Sequence, residues 1–156
     1  MAILSIAATP GPPVSVKDWK DICLNECFAS YSVWLWDEAR GDDLDQRYHA
    51  AVDGGGPWMS YPLYDMGPGH EFDGPGVYYK GVFFLHALRR KLGDEAFFSA
   101  LQGIQADFGG GNLSMDGLRD ELESRTGADL TSFWNEWVLG TTTPSDENLY
   151  PGTLGD

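Results

Sequence analysis

Basic side chains are scarce in this 156-residue chain, where 10 Lys and Arg stand against 24 Asp and Glu for a net charge of −14. That balance repels phosphate backbones and anionic lipid surfaces, so nucleic-acid and peripheral-membrane roles are excluded as natural readings. Cysteine is nearly absent, with only Cys23 and Cys27. At i and i+4 on one helical face they are neighbours, but a disulfide there would staple almost nothing. A metal pair would need two further ligands, and no Cys/His partner motif follows. They read as two small apolar core residues, and cysteine use assigns no compartment. Histidine is limited to His49, His70 and His86, whose separations match no ligand spacing. His86 sits in an apolar helical stretch and reads as a hydrogen-bonded core or rim residue. Long hydrophobic runs are missing too. "AILSIAA" near the start is far too short to span a bilayer, and the uncharged first fifteen residues lack the basic region of a secretory signal. This start reads as an arm or short strand ended by "TPGPP". Convincing strands, heptads and internal repeats are lacking as well.

What is present is apolar and aromatic: 42% hydrophobic residues, 13% aromatics and six tryptophans. That is one domain's worth of ordered core. The apolar spacing predicts about six helices. The first covers about Val16 to Arg40, with a buried face at 23, 24, 27, 28, 31, 34 and 35. The second runs from about Leu44 to Val52. The third, about Val77 to Leu92, stripes Val77, Gly81, Phe84, Leu85, Leu88 and Leu92. Gly93 stops it, and Asp94 is expected to cap the fourth, about 95–108. Ser114 caps a fifth that Gly127 ends, and Asp129 opens a sixth that ends at Gly140. Residues 53–76 are a Gly/Pro/aromatic stretch without helical period, too aromatic for plain disorder and long enough to suggest a functional loop or lid. "DEARGDDLD" (37–45) reads as a solvated helix end rather than a calcium loop. "DFGGGN" (107–112) reads as a helix end and turn, since no phosphate loop accompanies it. The tail 141–156 shows turn chemistry only. The expected organisation is an arm at 1–15, a helical domain at 16–140 and that tail.

Two stretches together resemble a family. "DWKDICLNECFASY" (18–31) is similar to the Trp-x-Asp-x-x-Leu-Asn-Glu-Gly-Phe-Ala segment of zinc aminopeptidases of the M1, gluzincin type. The matching residues are Trp19, Asp21, Leu24, Asn25, Glu26, Phe28 and Ala29, with Cys27 replacing the glycine. "VYYKGVFFLHALRRKLGDEAFFSAL" (77–101) is similar to that family's Tyr-Glu-Lys-Gly helix and its successor, with Tyr79 in place of the glutamate. Residues 111–138 resemble the helical end of the same catalytic domain. The resemblance covers about residues 14–140. It implies a mainly α fold like the C-terminal helical half of a thermolysin-like catalytic domain. It also implies that Glu26 is the third zinc ligand and Tyr78 the phenol that hydrogen-bonds the oxyanion when water attacks a peptide carbonyl. Both would face one cleft, with the aromatic loop as its rim.

The departure from the family pattern is equally clear. In HExxH-x18-E, counting back from Glu26, the histidines would stand at 3 and 7 and the general base at 4. The chain has Ile3, Leu4 and Ala7 there. The abrupt change suggests a truncated product, a rearranged start or an engineered fragment. Zinc is therefore expected in the full-length family but not in this chain, which is expected to be inactive alone. A full-length parent would take peptide substrates and hydrolyse their N-terminal bonds. The alternative is a non-catalytic helical interaction module that self-associates through exposed apolar helix faces, or binds a protein partner.

Overall fold

A computed structural model describes residues 11–70 and 74–156. The expected arm "AILSIAA" lies outside the described residues. At the centre stands α3 (Gly81–Leu92), in which residues 81 to 89 are all buried. A helix enclosed on every side needs neighbours on every side. α1 (Cys23–Glu38) makes the most extensive contact with it, and α2 (Leu44–Val52) and α4 (Asp94–Phe108) also pack against it. α5 (Met115–Thr126) packs on α4. The buried face of α1 is the expected one, with Cys23, Leu24, Cys27, Phe28 and Tyr31 buried and Trp34 and Leu35 half-buried against the core.

Several helix ends follow from single residues. The Asp43 carboxylate accepts from Gln46 N at 3.0 Å to start α2, and Ser114 Oγ accepts from Gly117 N at 3.0 Å to start α5. Gly127, at φ 73°, closes α5 in the left-handed conformation. Asp94 departs from expectation: it is the first residue of α4 rather than its cap. Its carboxylate instead takes the fork of Arg89 at 2.9 and 2.8 Å and Nη1 of Arg90 at 2.8 Å. Paired, charge-assisted bonds outcompete a neutral amide.

The first helix is shorter than predicted. β1 (Ser15–Val16) pairs in parallel with β2 (Asn112–Leu113) in the register Ser15 to Asn112, a pairing that one strand's sequence cannot announce. Asp18 then caps a single tight turn, Trp19–Asp21, before α1 begins. The third and sixth helices also carry wide turns of the i to i+5 type. Gly74–Lys80 leads into α3, and Asn135–Leu139 extends the short α6 (Thr131–Trp134).

The tail is more than turns. α7 (Asp146–Leu149) and a tight turn at Gly152–Gly155 bury Leu149 and Leu154. Tyr48 Oη donates to Leu149 O at 2.6 Å, and Trp137 Nε1 donates to Asn148 O at 2.8 Å. Two buried aromatic donors thus require acceptors, and the tail supplies them. The acidic stretch is likewise not merely solvated. Asp37 and Asp42 hold Arg47 at 3.0 and 3.3 Å, Glu38 holds Arg89 at 2.9 Å, and Asp45 holds Arg90 at 2.8 Å.

Cys23 and Cys27 are both fully buried, as expected of packing residues, but they are bonded to each other rather than free thiols. The i, i+4 placement that made them neighbours on α1 also puts the sulfurs within bonding reach. His86 is fully buried and hydrogen-bonded, as expected. Its Nδ1 meets Tyr31 Oη at 2.9 Å and its Nε2 meets Asp45 at 2.7 Å.

Candidate functional site

The "WKDICLNECFA" stretch divides its residues between jobs. Leu24 and Phe28 are in the core, while Trp19 is 64% exposed. Asp21 is buried, and its carboxylate accepts from Met115 N at 2.8 Å, tying the start of α1 to the start of α5. Burial raises its pKa against that hydrogen bond. Glu26 is half-buried in the first turn of α1, where the positive end of the helix dipole favours a carboxylate.

Tyr78 lies on the wide turn before α3 and is 40% exposed. The two expected site residues come together. The phenol pKa is raised first by desolvation, then by the Glu26 charge and a hydrogen-bonding interaction with that carboxylate. Their meeting depends on how closely α1 and the start of α3 approach. A Cβ at position 81 would collide with the Sγ and Cβ of Cys27. Only glycine at 81 allows this crossing, one residue along from Glu26 and three along from Tyr78.

Lys80 matched the family pattern, but sequence reasoning gave it no role. It is fully buried, and its Nζ donates to Tyr61 O at 2.6 Å and Gly140 O at 2.7 Å. Burial pulls its pKa down to about 8. A signal was available: Lys80 falls three residues after Val77 and four before Phe84, on the buried stripe of its helix. The described part of the aromatic segment is tied down around residues 63–65. Leu63 N and Tyr64 N donate to Val138 O at 2.7 and 3.3 Å, and Asp65 N donates to Lys20 O at 3.1 Å. Gly76, on the turn that carries Tyr78, packs on Met66 Sδ and Tyr61 Cβ, so this segment borders the turn.

Among the described residues no three His, Cys, Asp or Glu side chains gather as a metal site. Glu26 stands as a single carboxylate, and a catalytic zinc takes three protein ligands. The described residues do not by themselves fit zinc. Surface depressions of about 480 Å³ beside His49, Asp53 and Tyr150 and about 410 Å³ beside Lys17, Asp21 and Tyr64 include neither Glu26 nor Tyr78. No helix among the described residues is long and apolar enough to cross a membrane.

The fold is that of the helical part of a metallopeptidase catalytic domain, as its solved neighbours show. The model of the Peptidase family M1 domain matches residues 10–137. The chain belongs to peptidase family M1. It is 29% identical to aminopeptidase N of Lactococcus lactis subsp. lactis over 146 residues, which cover 82% of this chain and 17% of that protein. The M1 zinc metallopeptidase of Deinococcus radiodurans shares 33% identity at a TM-score of 0.70, over 83% of this chain and 30% of that one. Aminopeptidase A of Legionella pneumophila, in complex with aspartic acid, shares the fold at 19% identity and a TM-score of 0.65. The chain thus spans about a sixth of the length of the curated relatives it matches, and it is a partial catalytic domain of an M1 metallopeptidase.

Proposed function

We propose that this chain contributes Glu26 as one zinc ligand and Tyr78 as an oxyanion donor to an aminopeptidase active site, and that the 156 residues alone do not catalyse. The observation that carries this reading is the close crossing of α1 and α3 at Gly81 and Cys27, which brings the Tyr78 phenol within reach of the Glu26 charge that helps to raise its pKa. Zinc, when bound, would supply the activated water. The residues of this chain would do the rest of their share: the Glu26 carboxylate would offer one ligand oxygen, and the Tyr78 hydroxyl would donate to the carbonyl oxygen as it gains charge. Peptides are the substrate class. In support, a mutant of the Deinococcus enzyme is bound to a Tyr-Ser-Ala substrate.

The test uses the chain alone and the chain fused behind an HExxH-bearing segment from a relative. Alone, it should bind no stoichiometric zinc and should not cleave an aminoacyl fluorogenic amide; turnover would sink the inactivity claim. In the fusion, both properties should appear. Glu26→Ala should then abolish zinc retention and activity, while Tyr78→Phe should keep zinc and lower kcat by about 10²-fold or more. A fusion in which both variants stay fully active would overturn the assignment.

A second reading, a helical interaction module, is favoured by a separate observation. Val33 and Trp36, three apart on α1, are 57% and 65% exposed, and Tyr79 and Leu139 are exposed as well. Large apolar side chains left in water favour association.

A further inference from the structure

We propose that Lys80 is a positioning residue for Tyr78, its side chain pinning the wide turn that carries the phenol to the aromatic segment on one side and to the end of the sixth helix on the other. This inference rests on the reading that Glu26 and Tyr78 form a site, but its test needs neither zinc nor turnover.

Lys80 closes the wide turn Gly74–Lys80, two residues after Tyr78. It is fully buried, and its two hydrogen-bond partners are backbone carbonyls rather than a carboxylate. A buried lysine held by carbonyls is costly unless each bond is well made. The ammonium group donates to both carbonyls, while burial opposes its charge and pulls its pKa down to about 8.

The two carbonyls belong to elements that already meet each other. Tyr61 precedes Leu63 and Tyr64, whose amides donate to Val138 O, and Gly140 follows the wide turn 135–139 that contains Val138. Lys80 therefore closes a three-way junction between the Tyr78 turn, the aromatic segment and a helix terminus whose last carbonyls would otherwise lack partners. The turn is also confined by Gly76 against Met66 near its start and by the Gly81–Cys27 contact just past its end. With the turn held at both ends, the backbone that carries Tyr78 is fixed beside the start of α1.

Lys80→Met keeps the stem and removes both donors; Lys80→Gln keeps an amide that can reach one carbonyl. Each variant is checked for folding by circular dichroism. Nuclear Overhauser contacts between the Tyr78 ring and the Glu26 side chain are then measured, with amide exchange at Leu63 and Tyr64. The expected result is loss of the Tyr78–Glu26 contacts in Lys80→Met, with partial retention in Lys80→Gln. Leu63 and Tyr64 should exchange about tenfold faster while α1 amides keep their protection. A purely structural lysine would accelerate exchange everywhere and leave the Tyr78–Glu26 contacts intact. Contacts unchanged in a folded Lys80→Met protein would overturn the proposal. So would failure of both variants to fold, because a pin confined to one turn leaves the helical core standing. Failure of the Glu26 and Tyr78 roles would appear separately, as unchanged activity of their own variants in the fusion.

Discussion

His86 shows how one residue can set a property of the fold. It is fully buried between Tyr31 and Asp45. Burial, opposed by the Asp45 hydrogen bond, lowers its pKa from 6.5 to about 4. Above pH 6.5 the imidazole is neutral in both folded and unfolded chains and makes no pH-dependent difference. As pH falls from 6.5 towards 4, the unfolded chain takes up the proton and the folded one does not, so stability drops with falling pH. Below about 4 the folded chain is protonated too and this loss levels off. The expected loss across the window is about 3 kcal/mol, measured by urea unfolding at several pH values. His86→Gln should flatten the dependence between pH 6.5 and 4; an unchanged slope would remove His86 as its cause. Asp45 and Asp94, both held below the ordinary carboxylate range with their arginines opposing burial, add their losses at still lower pH.

At the scale of elements, the crossing of α1 and α3 decides whether a site exists. The two helices approach so closely that Cys27 occupies the space a side chain at 81 would need. Gly81→Ala removes that space. Overpacking of this kind costs about 1–3 kcal/mol, against the small gain alanine brings to a helix. The variant should therefore unfold at lower urea concentration, with a shift in the Tyr78 environment. A protein within about 0.5 kcal/mol of the parent would mean that α3 can slide to make room. Alanine at 81 serves the helix and opposes the crossing. The disulfide between Cys23 and Cys27 acts within α1, spanning four residues. It therefore closes almost no chain loop, and the packing of α1 on α3 must come from side-chain burial.

At the scale of the whole molecule, the exposed apolar side chains on α1 and near α3 contend with a net charge of −14. Self-association through such faces should be weak at low ionic strength and grow as salt shortens the range of charge repulsion. Light scattering over a range of protein concentration and sodium chloride would show it; a clean monomer throughout would remove the self-associating module. Most of the helical map was legible because apolar residues at three- and four-residue spacing mark a buried face, as at Cys23, Cys27, Phe28 and Tyr31. The wide turn at Gly74–Lys80, the Ser15–Asn112 pairing and the docked tail were not legible, because partners far along the chain create them. Tyr48 and Trp137 need acceptors, and nothing in "SDENLYPGTLGD" announces that it will provide them. Glu26 was legible by its motif. Its contact with Tyr78, 52 positions away, became visible only once the crossing of α1 and α3 was known.

That crossing is also the first of three ties that run in step along α1 and α3. Gly81 meets Cys27 where the pair begins, Tyr31 Oη meets His86 Nδ1 at 2.9 Å further along, and Glu38 holds Arg89 at 2.9 Å near the far end. Glu26 is next to Cys27 and Tyr78 is three residues from Gly81, so the carboxylate and the phenol stand beside a seam fastened at intervals rather than at a single crossing.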